Sequence, residues 1–226
     1  MAAGTSPLRA SHGGRLALAA AALVALWSAP APAQDYDSIR PQINAAAAQQ
    51  LMSKVTSAMR DPQVSDAGLK DIDDYFLKFF FPLMTSYRPE DLAILADNRQ
   101  KLFRQFINIP RASPRAQKHL IDRTLAATRV IASGSKGNYH PAVRYNAVLI
   151  LGMLDQQRGV TGPGGRPPVP MASATDDLLK LLEGEGIPSP VKVGALVGLE
   201  RHTRFGVDAQ YAPRIAAATL AIMTSD

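Results

Sequence analysis

The residue types that most often carry out chemistry are few in this sequence, and their spacing favours structural roles. After residue 33 the histidines are His119, His140 and His202, and no two of them are four residues apart, as two zinc ligands on one helix would be. The chain has no cysteine, which excludes thiol nucleophiles, cysteine-bearing zinc sites and disulfide bonds. We therefore predict no catalytic residue, no metal ligand and no cofactor, and we interpret the histidines as structural.

Two acidic clusters are the other candidates for catalysis. Asp71, Asp73 and Asp74 form the first cluster, and Asp176 and Asp177 form the second. Adjacent carboxylates on a helix point in different directions, so neither cluster supplies the facing pair that acid–base catalysis needs. We interpret the first as a solvated helix face and the second as a first helical turn, where the helix dipole favours acids. Because no Gly-x-Ser-x-Gly motif occurs, a hydrolase with a dispersed site is kept only as an alternative.

A glycine-rich stretch, Gly162-Pro163-Gly164-Gly165-Arg166, resembles a phosphate-binding loop only superficially. It lacks the Gly-Lys-Ser/Thr ending of such loops, and its proline has no backbone amide to donate to a phosphate. We interpret it as part of a Gly/Pro-rich connector over residues 156–173.

The N-terminal residues 1–33 have the order of a secretory signal peptide. Arg9 and Arg15 give a basic start, residues 16–27 form an apolar run, and a small-residue motif ends at Ala33. The apolar run has 12 residues, whereas a membrane-spanning helix needs about 20. We predict cleavage after Ala33 and export to the periplasm or the medium, and an uncleaved leader that anchors the chain to a membrane is the alternative.

The net charge and the aromatic content bear on whether the protein binds nucleic acid. The 226 residues are 46% hydrophobic and carry a formal net charge of +6, of which Arg9 and Arg15 in the leader supply two charges. The remaining excess is mild, and aromatic residues make up only 6% of the chain, too few for stacking on single-stranded nucleic acid. We therefore predict a folded protein that does not bind nucleic acid.

The hydrophobic periodicity is helical over almost the whole mature chain, which predicts an all-α fold. Residues 34–112 form an N-terminal helical segment, in which four of the seven phenylalanines lie between positions 76 and 81 and mark its core. The spacing also predicts one continuous helix after Pro89, ended by Pro110, and another from Pro114 to Ser133.

A sequence pattern occurs twice in the C-terminal half. The stretch HPAVRYNAVLILG at residues 140–152 has an imperfect copy, PSPVKVGALVGLE, at residues 188–200, with matching positions shifted by 48. Arg144 becomes Lys192 in this register, and a predicted helix precedes each copy. The repeated unit is thus a pair of helices, and such units bury their apolar faces by stacking on one another.

The repeated pattern resembles the second helix of a HEAT-type repeat. The residues that carry the resemblance are Pro141, Val143, Arg144, Ala147, Leu151 and Gly152. The resemblance implies stacked antiparallel helix pairs, an α-solenoid, over residues 113–226, with the excess over the usual repeat length in the 156–173 connector. No partner helix follows the helix that starts at Pro213, so we interpret that helix as a terminal cap or as part of a longer, partial array.

The predicted function follows from the surface that such a stack presents. In stacked helix pairs the second helices line the concave face, so Arg144 and Lys192 would form a basic ladder, extended by Arg201 and Arg204. We predict a non-catalytic scaffold or adaptor that binds another protein through this ladder. The alternatives are a binder of acidic cell-surface polymer and, for the ladder itself, salt bridges between neighbouring units.

Overall fold

The computed structural model describes residues 35–160 and 162–224, so the predicted signal peptide and its cleavage after Ala33 lie outside the described residues. The described part is predominantly helical, which confirms the all-α prediction. The α-helices are α1 Ala45–Arg60, α2 Asp66–Tyr75, α3 Phe81–Leu83, α4 Pro89–Ala93, α5 Leu95–Lys101, α6 Pro114–Ser133, α7 Pro141–Met153, α8 Ala172–Glu183, α9 Ser189–Phe205 and α10 Ala212–Thr224. Two π-helical segments, π1 Phe76–Phe80 and π2 Leu102–Ile107, follow α2 and α5.

The N-terminal part is built around the predicted phenylalanine core. Phe76, Phe80 and Phe81 are buried, and the Phe76 ring meets the Phe106 ring edge-on with centroids 5.1 Å apart. Phe106 belongs to π2, so this aromatic contact packs the end of α2 and π1 against π2. Aromatic burial of this kind is a large source of stability, because each ring removes much apolar surface from water.

The prediction of one continuous helix from Pro89 to Pro110 is wrong. The structure divides it into α4 and α5, because the backbone at Ile94 leaves the helical region, with φ −101° and ψ 4°. The break leaves Leu95 buried while Ile94 stays 40% exposed.

In the C-terminal half, consecutive helices contact each other, and α6 with α7 and α8 with α9 are each called a pair below. Capping residues set their ends: Ser113 accepts a hydrogen bond at the start of α6, and Gly134 ends that helix with a left-handed φ of 69°. Helices within each pair are in contact, and α7 and α9 pack on each other across the two pairs.

The contact between α7 and α9 is a close approach of two backbones. A Cβ atom added to Gly152 would lie 2.6 Å from the Cα of Gly198, and one added to Gly198 would lie 3.0 Å from the Cα of Gly152. Only glycine at both positions permits this spacing, because real carbon–carbon contacts lie at about 3.5 Å or more.

The connector between the pairs is more ordered than the sequence suggests. It was predicted as a loop, but β1 Asp155–Gln157 pairs antiparallel with β2 Val169–Pro170. Gly162 and Gly164 take φ values of 108° and 74°, which let the chain reverse between the strands. The prediction missed this hairpin because its strands are too short for an alternating pattern to show.

Ion pairs join α6 to α2 and to α8, and α8 to α10. Arg115 of α6 pairs with Asp66 of α2, and Arg123 of α6 contacts both carboxylate oxygens of Asp73 at 2.9 and 3.0 Å. Arg129 of α6 pairs with Asp177 of α8 at 2.7 Å. Arg214 of α10 pairs with two acids of α8, Asp176 at 3.2 Å and Glu183 at 2.8 Å.

Helix α10 packs against α8 and α9 but has no fully buried residue. Leu220 and Met223 on it are 61% and 78% exposed. Within residues 35–160 and 162–224, none of the helices combines the length and the apolar character required to cross a membrane.

Candidate interaction site

Arg144 is a structural residue of its own helix pair. Its Nε donates to the carbonyl of Ala132 at 3.0 Å, and an Nη donates to the carbonyl of Ser133 at 3.1 Å. These are carbonyls of the last turn of α6, which have no partner inside that helix. Burial lowers the pKa of the Arg144 guanidinium, but the group has no other charge state near neutral pH. Arg144 therefore ties the end of α6 to the start of α7.

Lys192 does not repeat this role, although it occupies the equivalent position in α9. It is half-buried, and its ammonium has no hydrogen-bond or ion-pair partner among the residues that the structure describes. The two members predicted to form a ladder thus differ, one being a cap and the other a cation without an internal partner.

Arg201 of α9 makes polar contacts with the end of α7 and with the start of β1. One of its Nη atoms lies 2.8 and 2.9 Å from the carboxylate oxygens of Asp155, and the other donates to the carbonyl of Gly152 at 3.1 Å. Gly152 lies near the end of α7 and Asp155 begins β1, so this residue of the predicted ladder forms an internal salt bridge. Burial raises the pKa of the Asp155 carboxyl, and the bond from Arg201 opposes that shift.

Arg204 lies on the surface and is the residue before Phe205, the last residue of α9. It pairs with Glu200, four residues before it, and the two side chains are 67% and 57% exposed. Exposed pairs of this kind contribute little to stability, about 0.3–0.5 kcal/mol. Arg204 is therefore available to an incoming ligand.

A groove runs over α5, α7 and α9 and brings part of the ladder together. It encloses about 500 Å³ and contains Arg201 and Arg204, but neither Arg144 nor Lys192 lines it. The other lining residues are Arg99, Tyr145, Leu149, Gly152, Met153, Val197, Gly198, Glu200 and Phe205. Arginine side chains beside aromatic and aliphatic ones make this surface suited to a ligand that is both anionic and apolar.

The sequence did not indicate Arg99, because Arg99 precedes the repeated region, which starts at residue 113. Tyr145 and Phe205 lie within that region, but the repeated pattern indicates buried positions and not those that line a groove. A usable signal was present in α9. Val193 and Val197 are apolar and one turn apart, but they fall outside the register of Val191 and Ala195 that the repeat buries. The structure leaves Val193 51% and Val197 49% exposed. Apolar residues outside the buried register are typical of a binding face.

Each of the three histidines in the described residues has a structural contact. His140 accepts a hydrogen bond at Nδ1 from the amide of Ala142 and so caps α7, at 3.1 Å. His119 Nε2 lies 2.8 Å from Asp73, whose carboxylate also binds Arg123. Neither His119 nor Asp73 lines the groove, so this His–Asp pair does not meet it.

His202 is the one fully buried histidine of the described residues. Its Nδ1 lies 2.8 Å from the hydroxyl of Thr175 in α8, while Nε2 makes no hydrogen bond of normal geometry. Burial, and then the charge of Arg201, lower the pKa of His202 from 6.5 to about 4, although the nearby backbone of Gly152 favours the protonated ring. The imidazole is thus neutral at physiological pH and joins α9 to α8.

The acidic clusters also serve helix packing. Asp74 pairs with Lys70 and Lys78 on its own helical stretch. The prediction that the second cluster lies in a first helical turn is wrong, because α8 begins at Ala172. Asp176 and Asp177 instead bind arginines of the neighbouring helices. Among residues 35–160 and 162–224, no group of three or more histidine, aspartate or glutamate side chains is arranged to hold a metal ion.

Comparison with known proteins gives no relative from which a role could be transferred: no family model, no curated protein and no solved structure matches this chain.

Proposed function

We propose that the protein is a non-catalytic, extracytoplasmic scaffold that binds another protein through the groove over α5, α7 and α9. The observation that carries the proposal is the groove itself, a recess of about 500 Å³ that combines arginines with exposed apolar side chains. The signal-peptide pattern of residues 1–33 supports the export part of this proposal.

We further propose that the helices form a HEAT-like stack. The inter-helix ion pairs support it, since Asp66–Arg115, Asp73–Arg123 and Arg129–Asp177 span 49, 50 and 48 residues. These separations match the 48-residue shift between the two sequence copies. In this interpretation α2, α6, α8 and α10 are the first helices of successive units, and α5, α7 and α9 are the second helices.

The same interpretation extends the array toward the N-terminus. The π1 segment that continues α2 packs on π2 through Phe76 and Phe106, as a helix pair would. Arg99 of α5 reaches Asn146 of α7, 47 residues further along the chain. The N-terminal segment then contributes a unit of its own, and the groove lies on the face that the second helices share.

The test is capture of a partner with a variant that changes only the groove. The mature chain and its Val197→Glu variant are used as baits in the exported fraction, and the captured protein is identified, purified and bound again in isolation. Val160→Glu is the matched control, because Val160 is 53% exposed and does not line the groove. We expect the purified partner to bind the mature chain and the Val160→Glu control with the same affinity. We expect its affinity for Val197→Glu to be at least tenfold lower.

Equal binding by all three proteins would refute the groove as the binding face. The alternative, a binder of acidic polymer, predicts instead that no protein rebinds and that a polyanion binds with a steep dependence on salt. We favour protein binding over polymer binding because apolar and aromatic side chains line the groove beside the arginines, among them Val197, Tyr145 and Phe205.

A further inference from the structure

We propose that the groove takes an acidic peptide segment of the partner, with Arg99 binding a carboxylate while a bulky apolar side chain lies against Val197 and Phe205. This inference rests on the proposed function and adds the chemistry of the ligand. It is carried by the charge that the fold leaves uncompensated in the groove and by the apolar surface next to it.

Arg99 is the uncompensated charge. Its guanidinium is half-buried, and an Nη atom donates to the Asn146 side-chain oxygen at 2.5 Å. No carboxylate of the described residues lies within ion-pair distance of it, and Asn146 is neutral and itself buried. Partly buried charges in folded proteins are ordinarily paired, because desolvation without a counter-charge is costly. A guanidinium held in a groove by an amide, with donors to spare, suits an anion supplied from outside.

The other two arginines of the groove differ from Arg99. Arg201 is held by Asp155, and Arg204 is paired with Glu200. Each of these two arginines has a carboxylate partner, whereas Arg99 has none among the described residues, so Arg99 is the arginine of the groove whose charge is least compensated. A carboxylate fits this site better than a neutral group, since a guanidinium offers two parallel N–H donors to its two oxygens.

The neighbouring surface selects a peptide rather than an anion alone. Val197 lines the groove at 49% exposure, and Val193 lies one helical turn before it at 51%. Tyr145 and Phe205 line the same recess and are half-buried. A volume of about 500 Å³ holds a few side chains, so a segment with a carboxylate and a large apolar residue would use both parts.

The inference is tested with a displayed library of random 12-residue peptides selected on the immobilised mature chain. We expect enriched sequences to share acidic residues next to Leu, Ile, Met, Phe, Tyr or Trp. The most enriched sequence is then made as a fluorescent peptide, and its affinity is measured by anisotropy for the mature chain and for three variants.

The variants separate the parts of the site. Arg99→Gln removes the charge while keeping a donor for Asn146, and we expect it to weaken binding about tenfold or more, the effect of losing a charge-assisted hydrogen bond. Val197→Glu replaces the apolar side chain at an exposed position, where a folding defect is not expected, with a carboxylate that also repels an acidic peptide, and should weaken binding at least as much. Arg166→Gln is the charge control, because Arg166 is exposed on the connector and outside the groove, and it should bind like the parent.

Circular dichroism and thermal melting establish that each variant is folded. If Arg99→Gln were unfolded, Val197→Glu together with a peptide whose acids are replaced by amides would give the same information. Enrichment of basic or uncharged peptides would overturn the inference, as would equal binding of the acidic and amide peptides. In either case a partner that still rebinds less tightly to Val197→Glu would leave the proposed function standing. Selection of no peptide, with a polyanion bound through Arg99, would overturn the inference and favour the polymer alternative.

Discussion

Replacing Gly152 with alanine should destabilise the protein, although alanine is the better helix former. The added Cβ would lie 2.6 Å from the Cα of Gly198, with the Gly198 nitrogen at 3.5 Å. Carbon atoms pack at about 3.5–4.0 Å, so α7 and α9 would have to move apart by about 1 Å. Both contacting atoms belong to the backbone, and no side-chain rotation can relieve the clash.

The magnitude follows from two opposing effects. Overpacking of a close contact costs about 1–3 kcal/mol, and we take the upper part of that range because the obstacle is backbone. The gain in helix propensity from glycine to alanine is at most about 1 kcal/mol, and it is reduced here because Gly152 is next to the last residue of α7. The expected net loss in the free energy of unfolding is about 2 kcal/mol. For a domain of this size that corresponds to a fall of about 4–8 °C in Tm.

Gly194→Ala is the matched comparison on the facing helix. A Cβ there would meet Tyr145 ring atoms at 3.0 and 3.2 Å and a Val148 methyl at 3.2 Å. These are side-chain atoms that can shift by a few tenths of an ångström, and Gly194 lies inside α9, where alanine gives its full helical advantage. We expect Gly194→Ala to change the free energy of unfolding by less than about 1 kcal/mol.

The assay is equilibrium unfolding in urea, monitored by far-ultraviolet circular dichroism. The free energies of unfolding of the mature chain and both variants are compared using one common slope of free energy against urea concentration. A Gly152→Ala protein as stable as the parent would refute the reasoning, because it would mean that α7 and α9 do not meet at their backbones. Equal losses for Gly152→Ala and Gly194→Ala would also contradict it, since the argument depends on the difference between backbone and side-chain obstacles.

Three further predictions concern side chains that hold the pairs together. Since the pKa of His202 is lowered from 6.5 to about 4 in the folded chain, its neutral form contributes stability that is present above pH 6.5 and is lost as the pH falls to 4. The full difference is about 3 kcal/mol, and urea unfolding between pH 7 and 4 should show a shallower loss in His202→Gln. Arg144→Met should lower stability by about 1–3 kcal/mol because carbonyls of α6 lose their donors, whereas Lys192→Met in the same register should stay within about 0.5 kcal/mol; equal effects would mean that Arg144 is not a cap. Ala147 is 3% exposed, so Ala147→Gln should cost about 2–4 kcal/mol through overpacking and polar burial, and a neutral result in thermal melts would contradict the assigned buried face.

Local patterns in the sequence predicted much of the helical structure. The burial of Val143, Ala147 and Leu151 at helical spacing, and the caps before Pro114 and Pro141, depend on neighbours along the chain and could be inferred from it. The break at Ile94 could not, because the same spacing of apolar residues suits one helix or two. The hairpin was missed since its strands of two and three residues are shorter than any alternation that could be recognised.

The candidate site was only partly predictable for a different reason. Of the four residues predicted to face a partner, Arg201 and Arg204 line the groove, whereas Arg144 and Lys192 do not and share a register position but not a role. The role of each is set by what lies across from it, the carbonyls of α6 for Arg144 and nothing comparable for Lys192. Arg99 comes from a segment in which no repeat was visible, so its approach to Asn146 follows from tertiary packing alone.

The contact of Gly152 with Gly198 also bears on how tightly a ligand could be held. Both glycines line the groove, so part of its floor is backbone packed on backbone. A floor of that kind has no side-chain rotamers to immobilise when a ligand arrives, and its width is fixed before binding. Less conformational entropy is then lost on association, and more of the contact energy appears as affinity. The groove would then be a preorganised binding site, which favours ligands that match its width over ligands that would require it to open.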